Sequence, residues 1–461
     1  MKRISFYGAA GTVTGSKYLL EVNDKKILID CGMFQGNKSL RVRNWEPLSF
    51  NPKDLSAVIL THAHIDHTGF LPKLVRFGFD KEVYSTPPTF DILKVLLIDA
   101  AHIQEEEAAY RNKKKISRHK PALPLFSTED AVNTIKLGHG IHYNKWHTIS
   151  KEFKFRFINA GHILGASSVQ IVMNDGESEK SILFSGDVGK YAIALVSDPS
   201  VPPESDYIVC ESTYGGKFHP AVDPFFEFDQ LLKRIIKEKR ILLIPAFAIG
   251  RTQQIVYMAH VLMKQGEIPP IDIHIDSPMA VRATNIYKAY PEYHSIDEKF
   301  LVGKNNSFYG KSVTLHRKRK SSKMLNKLKG PAIIISASGM LTGGRIMHHL
   351  TNRLPDPNTT LALVGFMVSG SLGRRIMDGE KNILVYKKPI HINAEVVQLE
   401  GLSGHADSYE ILHWLEQVKK KPKKIFITHG EKSRSVAMAE QFKKERNWNC
   451  EIPELDESFE L

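Results

Sequence analysis

The stretch THAHIDHTGF, residues 61–70, crowds three histidines and one aspartate together directly after the apolar run LSAVIL. The apolar run predicts a strand, and residues i and i+2 of an extended chain point to the same side, so His62 and His64 can bind one cation. Asp66 and His67 follow where the chain turns into a helix, and they can reach a second cation beside the first. Four such groups this close together are costly to bury without a metal ion, and imidazole and carboxylate suit zinc.

Three further candidate ligands occur at the ends of predicted strands. They are Asp30 in KILIDCG, His162 in NAGHILGAS and Asp187 in ILFSGDVG. Each is followed by glycine or small residues, which is typical of an open loop. Each is weak evidence alone, because single polar residues at strand ends are common.

In this order, the four stretches resemble the metallo-β-lactamase superfamily, whose αββα sandwich holds one or two zinc ions at its strand ends. The resemblance implies a first zinc ion bound by His62, His64 and His162, a second bound by Asp66 and His67, and Asp187 as the bridge between them. It also implies that Asp30 orients ligands from behind, as such carboxylates commonly do. The superfamily does not define the substrate, because it includes lactamases, thioesterases, lactonases and nucleases.

The strand and helix pattern predicts a discontinuous first domain. Residues 1–205 are rich in short strands, whereas residues 206–388 alternate nearly all-apolar strands with helices, which indicates a parallel sheet covered by helices on both faces. Residues 389–461 return to the first pattern, with the predicted strand AEVVQLEG near their start. Helices are predicted at 66–78, 127–138 with a capping box from Ser127 to Asp130, near 224–239, 250–265, 278–289 and 344–353, and at 407–418.

Three motifs in the second half resemble those of the β-CASP family of nucleic-acid-processing nucleases. They are VCESTYGG with Glu211, GLSGHADS with His405, and FITHGE with His429. The stretches IPAFAIGRTQQ, SASGMLTGGR and SLGRRI are similar to RNA-cleaving bacterial and archaeal members and to the endonuclease subunit of the pre-mRNA 3′-end cleavage complex. In that family the parallel-sheet domain is inserted into the metallo-β-lactamase fold. His429 stands where the DNA-repair branch usually has an apolar residue, and this favours RNA.

The resemblance also implies catalytic roles. His429 would complete the second zinc shell, and His405, oriented by Glu211, would protonate the departing 3′ oxygen as a general acid. Asp66 counts both as a ligand and as a catalytic residue. Two Zn²⁺ ions per chain would activate a water and clamp phosphate oxygens, so the products would carry 5′-phosphate and 3′-hydroxyl ends. Neighbouring phosphates would be bound by a serine- and glycine-rich loop and two arginines, namely Ser336, Ser338, Gly339, Arg374 and Arg375.

The composition favours a polyanionic partner. The formal net charge is +13 with a sequence pI near 9.3, and neutralising phosphates with Lys and Arg releases counterions. The basic residues cluster in the runs 111–120, 316–320 and 419–424. Such runs more often form a solvated face than a binding groove.

Two further features concern the cellular location of the protein and the chemistry of its cysteines. The longest apolar stretch, residues 241–249, is far shorter than the roughly 20 residues that span a bilayer, and no secretory segment opens the chain, so we expect a cytoplasmic protein without membrane contact. Cys31, Cys210 and Cys450 suggest neither disulfides nor a thiolate metal site.

The chain is expected to lack the N-terminal KH modules of archaeal relatives and the C-terminal domain of ribonuclease J. A homodimer is compatible with the sequence.

The sequence therefore predicts a zinc-dependent endoribonuclease that acts on single-stranded RNA. Its expected lack of extra domains weakens the case for processive 5′–3′ exonuclease action. Two alternatives are a metallo-hydrolase of small thioesters or lactones, and a non-catalytic RNA-binding scaffold. The first leaves the inserted domain and the set Glu211, His405 and His429 without a purpose, and the second usually loses metal ligands, all of which are present here.

Overall fold

The computed structural model describes residues 1–117, 119–220, 222–296, 310–341, 343–365, 367 and 370–461. Arg118 of the basic run 111–120 and Thr342 of the stretch SASGMLTGGR lie outside the described residues. The chain divides into two compact units. Unit 1 comprises Met1–Ala192, Ser197–Phe218 and His405–Leu461, and unit 2 comprises Ile193–Val196 and His219–Gly404. The domain boundaries at 206 and 389 stay predictions from the sequence.

The strands of both units are numbered in chain order. They are β1 (Lys2–Phe6), β2 (Tyr18–Val22), β3 (Lys25–Ile29), β4 (Leu55–Ile59), β5 (Val83–Ser85), β6 (Gly138–Gly140), β7 (His147–Thr148), β8 (Phe153–Asn159), β9 (Ser167–Asn174), β10 (Glu179–Phe184), β11 (Tyr207–Glu211), β12 (Ile241–Pro245), β13 (Asp272–Ile275), β14 (Val313–Leu315), β15 (Ala332–Ser336), β16 (Thr359–Val364), β17 (Asn382–Val385), β18 (Lys388–His391), β19 (Glu395–Leu399), β20 (Lys424–Thr428), β21 (Cys450–Glu451) and β22 (Ser458–Glu460).

The helices are numbered in the same way. They are α1 (Lys38–Arg43), α2 (Ile65–Thr68), α3 (Leu71–Arg76), α4 (Pro87–Lys114), α5 (Thr128–Ile135), α6 (Pro224–Lys237), α7 (Arg251–Gln265), α8 (Pro278–Ala289), α9 (Arg319–Met324), α10 (Ile346–Arg353), α11 (Leu372–Met377), α12 (Ser408–Glu416) and α13 (Lys432–Arg446).

Unit 1 is built on two sheets. The first sheet has the strand order β22-β1-β2-β3-β4-β5-β6, and the second has the order β21-β20-β11-β10-β9-β8-β7. Their facing sides share one core, in which the alternate residues Phe153, Phe155 and Phe157 of β8 are buried beside Phe6 and Phe184. Burial of each such ring stabilises the folded state by on the order of 1.5–3 kcal/mol. This core locks the two sheets into a sandwich.

Helices cover the outer faces of the unit 1 sandwich. α12 and α13 pack on the second sheet through Trp414, Met438 and Phe442, which lie against Ile208 and Ile425. On the first sheet, α4 contacts β6 and α5 contacts α3 and α4. The layers are therefore helix, sheet, sheet, helix, and the αββα arrangement predicted from the sequence is confirmed.

Most predicted helices of unit 1 are present, with two differences. The capping box from Ser127 to Asp130 is confirmed at the start of α5, but the segment predicted as one helix at 66–78 forms the two short helices α2 and α3. Gly69 ends α2, and Pro72 restarts the chain in the first turn of α3. The 28-residue helix α4 was not predicted from the sequence; its last turn carries the first lysines of the run 111–120.

Unit 2 contains a third sheet with the strand order β14-β13-β15-β12-β16-β19, and the strand pairs along it are parallel in the part of the chain that the structure describes. The helices predicted in this region form as α6, α7, α8 and α10. Strand β19, which the sequence analysis assigned to the C-terminal segment, pairs with β16 from Thr360 opposite Glu395 to Val364 opposite Leu399. The parallel, helix-flanked sheet expected for this region is confirmed.

Within the described ranges, none of the helices is a candidate for spanning a bilayer.

Candidate metal centre and catalytic residues

The turn after β4 positions the first candidate ligands. His64 is the extended residue that precedes α2, with φ −62° and ψ 150°, so the backbone is still strand-like up to this histidine. Asp66 then lies in the first turn of α2 and His67 in its last turn. The change from strand to helix directs His62 and His64 to one position and Asp66 and His67 to another.

The first ligand group consists of His62, His64, His162 and Asp187, whose donor atoms all lie within 4.8 Å of one another. Nδ1 of His64 is 3.0 Å from Nε2 of His62 and 3.3 Å from Nε2 of His162. Oδ2 of Asp187 is 3.3 Å from Nε2 of His62 and 3.6 Å from Nε2 of His162. Nitrogens bound tetrahedrally to zinc at about 2.0–2.1 Å lie roughly 3.3 Å apart, so this spacing fits one cation.

The second ligand group consists of Asp66, His67 and His429. Nε2 of His429 is 3.0 Å from Nε2 of His67 and 3.8 Å from Oδ2 of Asp66. The other ring nitrogen of His67, Nδ1, is 2.7 Å from Oδ2 of Asp30. That contact orients the ring and leaves Nε2 facing the group, as outer carboxylates commonly do for metal-binding histidines.

Asp187 is shared by the two groups. Its Oδ2 faces His62 and His162, while its Oδ1 lies 3.2 Å from Nε2 of His67. Oδ1 is buried and has no hydrogen-bond partner among the described residues. A buried carboxylate oxygen normally has a partner, so the Asp187 carboxylate fits a ligand that would offer one oxygen to each of two divalent cations.

Burial and neighbouring charges set the protonation states of these candidate ligands. Burial lowers the pKa of His62 to about 3 and that of His64 to about 4, with neighbouring His67 adding to the effect on both. These imidazoles are therefore neutral near pH 7, which is the form that binds metal. Burial disfavours the charge of Asp187, but His429 and His67 hold the pKa of its carboxyl well below its usual range.

A third group joins Asp187 to Glu211 and His405. Glu211 ends β11, and its Oε1 accepts a 2.7 Å hydrogen bond from the Val188 amide and lies 3.3 Å from Nδ1 of His405. Nε2 of His405 lies 3.9 Å from Oδ2 of Asp187. Burial opposes the charge of this imidazole, but Glu211 and Asp187 raise the pKa of His405 to about 9. A protonated donor therefore lies beside the ligand groups.

Two threonines that sequence reasoning missed contact the ligands. Thr61 Oγ1 donates to Asp30 and lies 3.1 Å from Nδ1 of His62. Thr213 Oγ1 lies 3.2 Å from Nδ1 of His429. Both residues stand inside the quoted motifs, directly before His62 and two positions after Glu211, so their adjacency to assigned residues was the available signal.

The residues predicted to bind phosphate all lie in unit 2. Ser336 ends β15 and its hydroxyl donates to the Asp276 carbonyl, while the backbone amide of Ser338 donates to the Gly343 carbonyl. Gly339 lies close to Phe247: a Cβ added to Gly339 would be 3.1 Å from the backbone nitrogen of Phe247.

The predicted arginines lie on α11 and are already paired. Arg374 donates from Nε to both carboxylate oxygens of Asp378 at 2.9 Å, and Arg375 pairs with Glu380. A phosphate would compete with these carboxylates, so the phosphate-binding assignment stays a prediction.

Comparison with known families matches three segments of the chain. Residues 10–226 match the metallo-β-lactamase superfamily, residues 252–376 the Beta-Casp domain, and residues 389–453 the Zn-dependent metallo-hydrolase RNA specificity domain. Ribonuclease TTHA0252 of Thermus thermophilus is 35% identical over 440 residues, which cover 95% of each chain. Transcription termination factor FttA of Methanosarcina mazei is 31% identical over 453 residues, covering 95% of this chain and 68% of that protein.

A solved structure shares the fold. A protein of unknown function from Enterococcus faecalis superposes with a TM-score of 0.54 over 99% of both chains at 14% sequence identity.

The order of matched segments agrees with a Beta-Casp domain inserted into the metallo-β-lactamase fold. The ribonuclease match along nearly the whole chain decides against a small-molecule hydrolase and a non-catalytic scaffold. The chain belongs to the β-CASP family of hydrolytic RNA nucleases in the metallo-β-lactamase superfamily.

Proposed function

We propose that this RNA nuclease is a zinc-dependent endoribonuclease that hydrolyses single-stranded RNA and leaves 5′-phosphate and 3′-hydroxyl ends. The observation that carries the proposal is the meeting of two ligand groups on Asp187, with the Glu211–His405 pair beside them. Phosphodiester hydrolysis assisted by two cations uses a shared ligand of this kind and a nearby proton donor.

Zinc is proposed because the donors are imidazole nitrogens and carboxylate oxygens. One ion would be held by His62, His64, His162 and Asp187, and the other by Asp66, His67, His429 and Asp187. The match to a Zn-dependent metallo-hydrolase domain supports the choice. When bound, two such ions supply Lewis-acid stabilisation of phosphate oxygens and lower the pKa of an attacking water.

His405 is proposed as the general acid. Its Nδ1 faces Glu211, so the proton that can be transferred is on Nε2, the nitrogen that faces Asp187. As a water oxygen replaces the 3′ oxygen on phosphorus, the departing oxygen takes this proton. Glu211 keeps the ring in orientation and stabilises its protonated form.

Single-stranded RNA is proposed from charge and burial. The net charge of +13 favours a polyanion. The side chains of His62 and Asp187 are only 1% and 2% exposed, so the scissile phosphate has to enter a recess. A flexible single strand can present one phosphate in this way more readily than a base-paired helix.

A circular single-stranded RNA tests the proposal directly. The protein is loaded with zinc, its metal content is measured, and it is incubated with the circle and with a linear RNA of the same sequence. We expect both RNAs to be cut, the products to carry 5′-phosphate, and a duplex of the same sequence to be cut more slowly. Cleavage should stop on chelation and return with zinc.

Each part of the proposal has its own contrary result. An intact circle beside a linear RNA shortened from its 5′ end would show an exonuclease. A 2′,3′-cyclic phosphate would show attack by the RNA's own 2′-hydroxyl. If the metal-depleted protein regained full activity with another metal but not with zinc, zinc would be excluded as the cofactor.

A further inference from the structure

A cluster of lysines lies at the end of unit 1 where β10, β11 and β20 begin. The loop KKKPKK, residues 419–424, connects α12 to β20 and belongs to the segment that matches the RNA specificity domain. Within it, Lys420 and Lys423 both contact Asp206, and Lys423 lies beside Lys180 of β10. These three residues are called the lysine cluster.

Two residues of the lysine cluster converge on a single carboxylate. Oδ1 of Asp206 lies 3.3 Å from Nζ of Lys420 and 3.5 Å from Nζ of Lys423. Its other oxygen accepts hydrogen bonds of 3.0 and 3.1 Å from the amide and hydroxyl of Ser181. Burial opposes the charge of Asp206, but Ser181 and Lys420 hold its pKa at about 2, so this carboxylate is ionised at neutral pH.

Lys180 adds a third positive charge at this end of the sheet, because it directly precedes Ser181, whose amide and hydroxyl donate to Asp206. The ammonium of Lys423 lies next to it, and this neighbour is the main reason that the pKa of Lys180 is below its ordinary value. Two ammonium groups therefore pair with one carboxylate, and a third lies beside them. The side chains of Lys420 and Lys423 are 53% and 49% exposed, so an anion from solution can reach the excess positive charge.

We propose that Lys180, Lys420 and Lys423 bind the phosphate backbone of single-stranded RNA at a second site, distant from the metal ligands. The inference rests on the proposed function for its choice of RNA as the anion. Lysine ammonium groups bind phosphates without reading bases, so the site increases affinity for RNA of any sequence.

The strand register sets the distance between the two sites. Tyr207 is paired with Lys424 at one end of β11 and β20, and Glu211 is paired with Thr428 at the other. Asp206, which the lysines contact, directly precedes β11, and Glu211 ends it, so five steps of about 3.3 Å separate the lysine end from the catalytic end by roughly 16 Å. At about 3.4 Å per nucleotide for a stacked strand, at least five nucleotides are needed to reach from one site to the other.

The test compares two triple variants and two RNA lengths. Lys180→Gln/Lys420→Gln/Lys423→Gln is compared with Lys25→Gln/Lys38→Gln/Lys81→Gln, which removes the same charge from exposed lysines elsewhere in unit 1. In the control, Lys25 and Lys81 also pair with carboxylates, those of Asp24 and Asp80. KM and kcat are measured on RNAs of about 30 and about 3 nucleotides, the second too short to reach both sites, and binding of the longer RNA is followed by anisotropy at several salt concentrations.

The cluster variant should bind the longer RNA about tenfold more weakly, and the slope of log affinity against log salt should fall by about 2, or roughly 0.7 for each phosphate that the variant no longer neutralises. KM for the short RNA and kcat for both should stay unchanged. Equal decreases in affinity for the two triple variants, or no change in the cluster variant, would overturn the second site. If the wild-type protein cleaves neither RNA, the proposed function fails, while the anisotropy comparison still tests the lysines.

Discussion

The hydroxyl of Thr213 lies between two atoms of His429, 3.2 Å from Nδ1 and 3.3 Å from the carbonyl oxygen. The single hydroxyl proton can be donated to the carbonyl, so the oxygen accepts from Nδ1–H. This arrangement places the ring proton on Nδ1 and leaves the lone pair on Nε2, the nitrogen 3.0 Å from Nε2 of His67. In this arrangement Thr213 would select the tautomer of His429 that can bind a cation.

Replacing Thr213 with valine should therefore weaken metal binding at the second ligand group by about 10- to 100-fold, the usual effect of losing an outer hydrogen bond to a ligand. Thr213→Ser keeps the hydroxyl and should restore the affinity. Zinc titration of the metal-depleted variants measures this directly. Unchanged affinity in the valine variant would show that the hydroxyl does not set the tautomer.

Asp187→Ala should remove metal from both ligand groups, because each includes an oxygen of this one carboxylate. Metal analysis after dialysis should find less than one zinc ion per chain, and RNA cleavage should be lost. Thermal unfolding with and without zinc shows whether the variant still folds. Two zinc ions per chain in a folded Asp187→Ala variant would contradict the shared-ligand assignment.

His405→Ala should separate proton transfer from metal binding. We expect both zinc ions and RNA affinity to be retained, with single-turnover cleavage slower by about 10²- to 10⁴-fold, the usual worth of a positioned general acid. His429→Ala should instead lower occupancy of the second ligand group. Zinc loss in His405→Ala would make this residue a ligand.

Glu211→Ala tests whether Glu211 acts through His405. Oε1 of Glu211 lies 3.3 Å from Nδ1 of His405. The single variant should lose less rate than His405→Ala, and the double variant should be little slower than His405→Ala alone. Single-turnover rates at matched folded fraction measure the coupling. Multiplication of the two separate losses would show that the residues act independently.

Gly32→Ala should disturb the site through the backbone. An added Cβ would lie 1.6 Å from the carbonyl oxygen of Asp66 and 2.8 Å from the amide of Ser16, so α2 has to move. We expect a loss of about 1–3 kcal/mol in unfolding free energy, as for other overpacked sites, and weaker metal binding by Asp66 and His67. Gly343→Ala is the control, because its Cβ would meet no described atom within 4 Å. Equal behaviour of the two variants in denaturation and zinc titration would refute the argument.

Much of the site could be predicted because its signals are local. In THAHIDHTGF the ligands are separated by one or two residues, so strand and helix geometry alone brings His62 near His64 and Asp66 near His67. The alternation of apolar strands and helices after residue 206 likewise indicates a parallel sheet without any knowledge of distant contacts. The long helix α4 was missed because it begins with two prolines and its apolar first half gives way to EEEAAYRNKK, so no single period marks its length.

By itself, the sequence determined the residue types of the metal centre, the strand ends that carry them and the family to which the chain belongs. Only the tertiary structure decided that both oxygens of Asp187 are shared between the groups, that His67 meets His429 across 362 residues of chain, and that Thr213 holds His429. It also brought Lys420 and Lys423 to the carboxylate of Asp206. The physical reason is that periodicity reports which side of its own strand or helix a residue occupies. The distance between residues on different strands depends instead on the order β20-β11-β10 in the sheet, and that order is set by packing of the whole core.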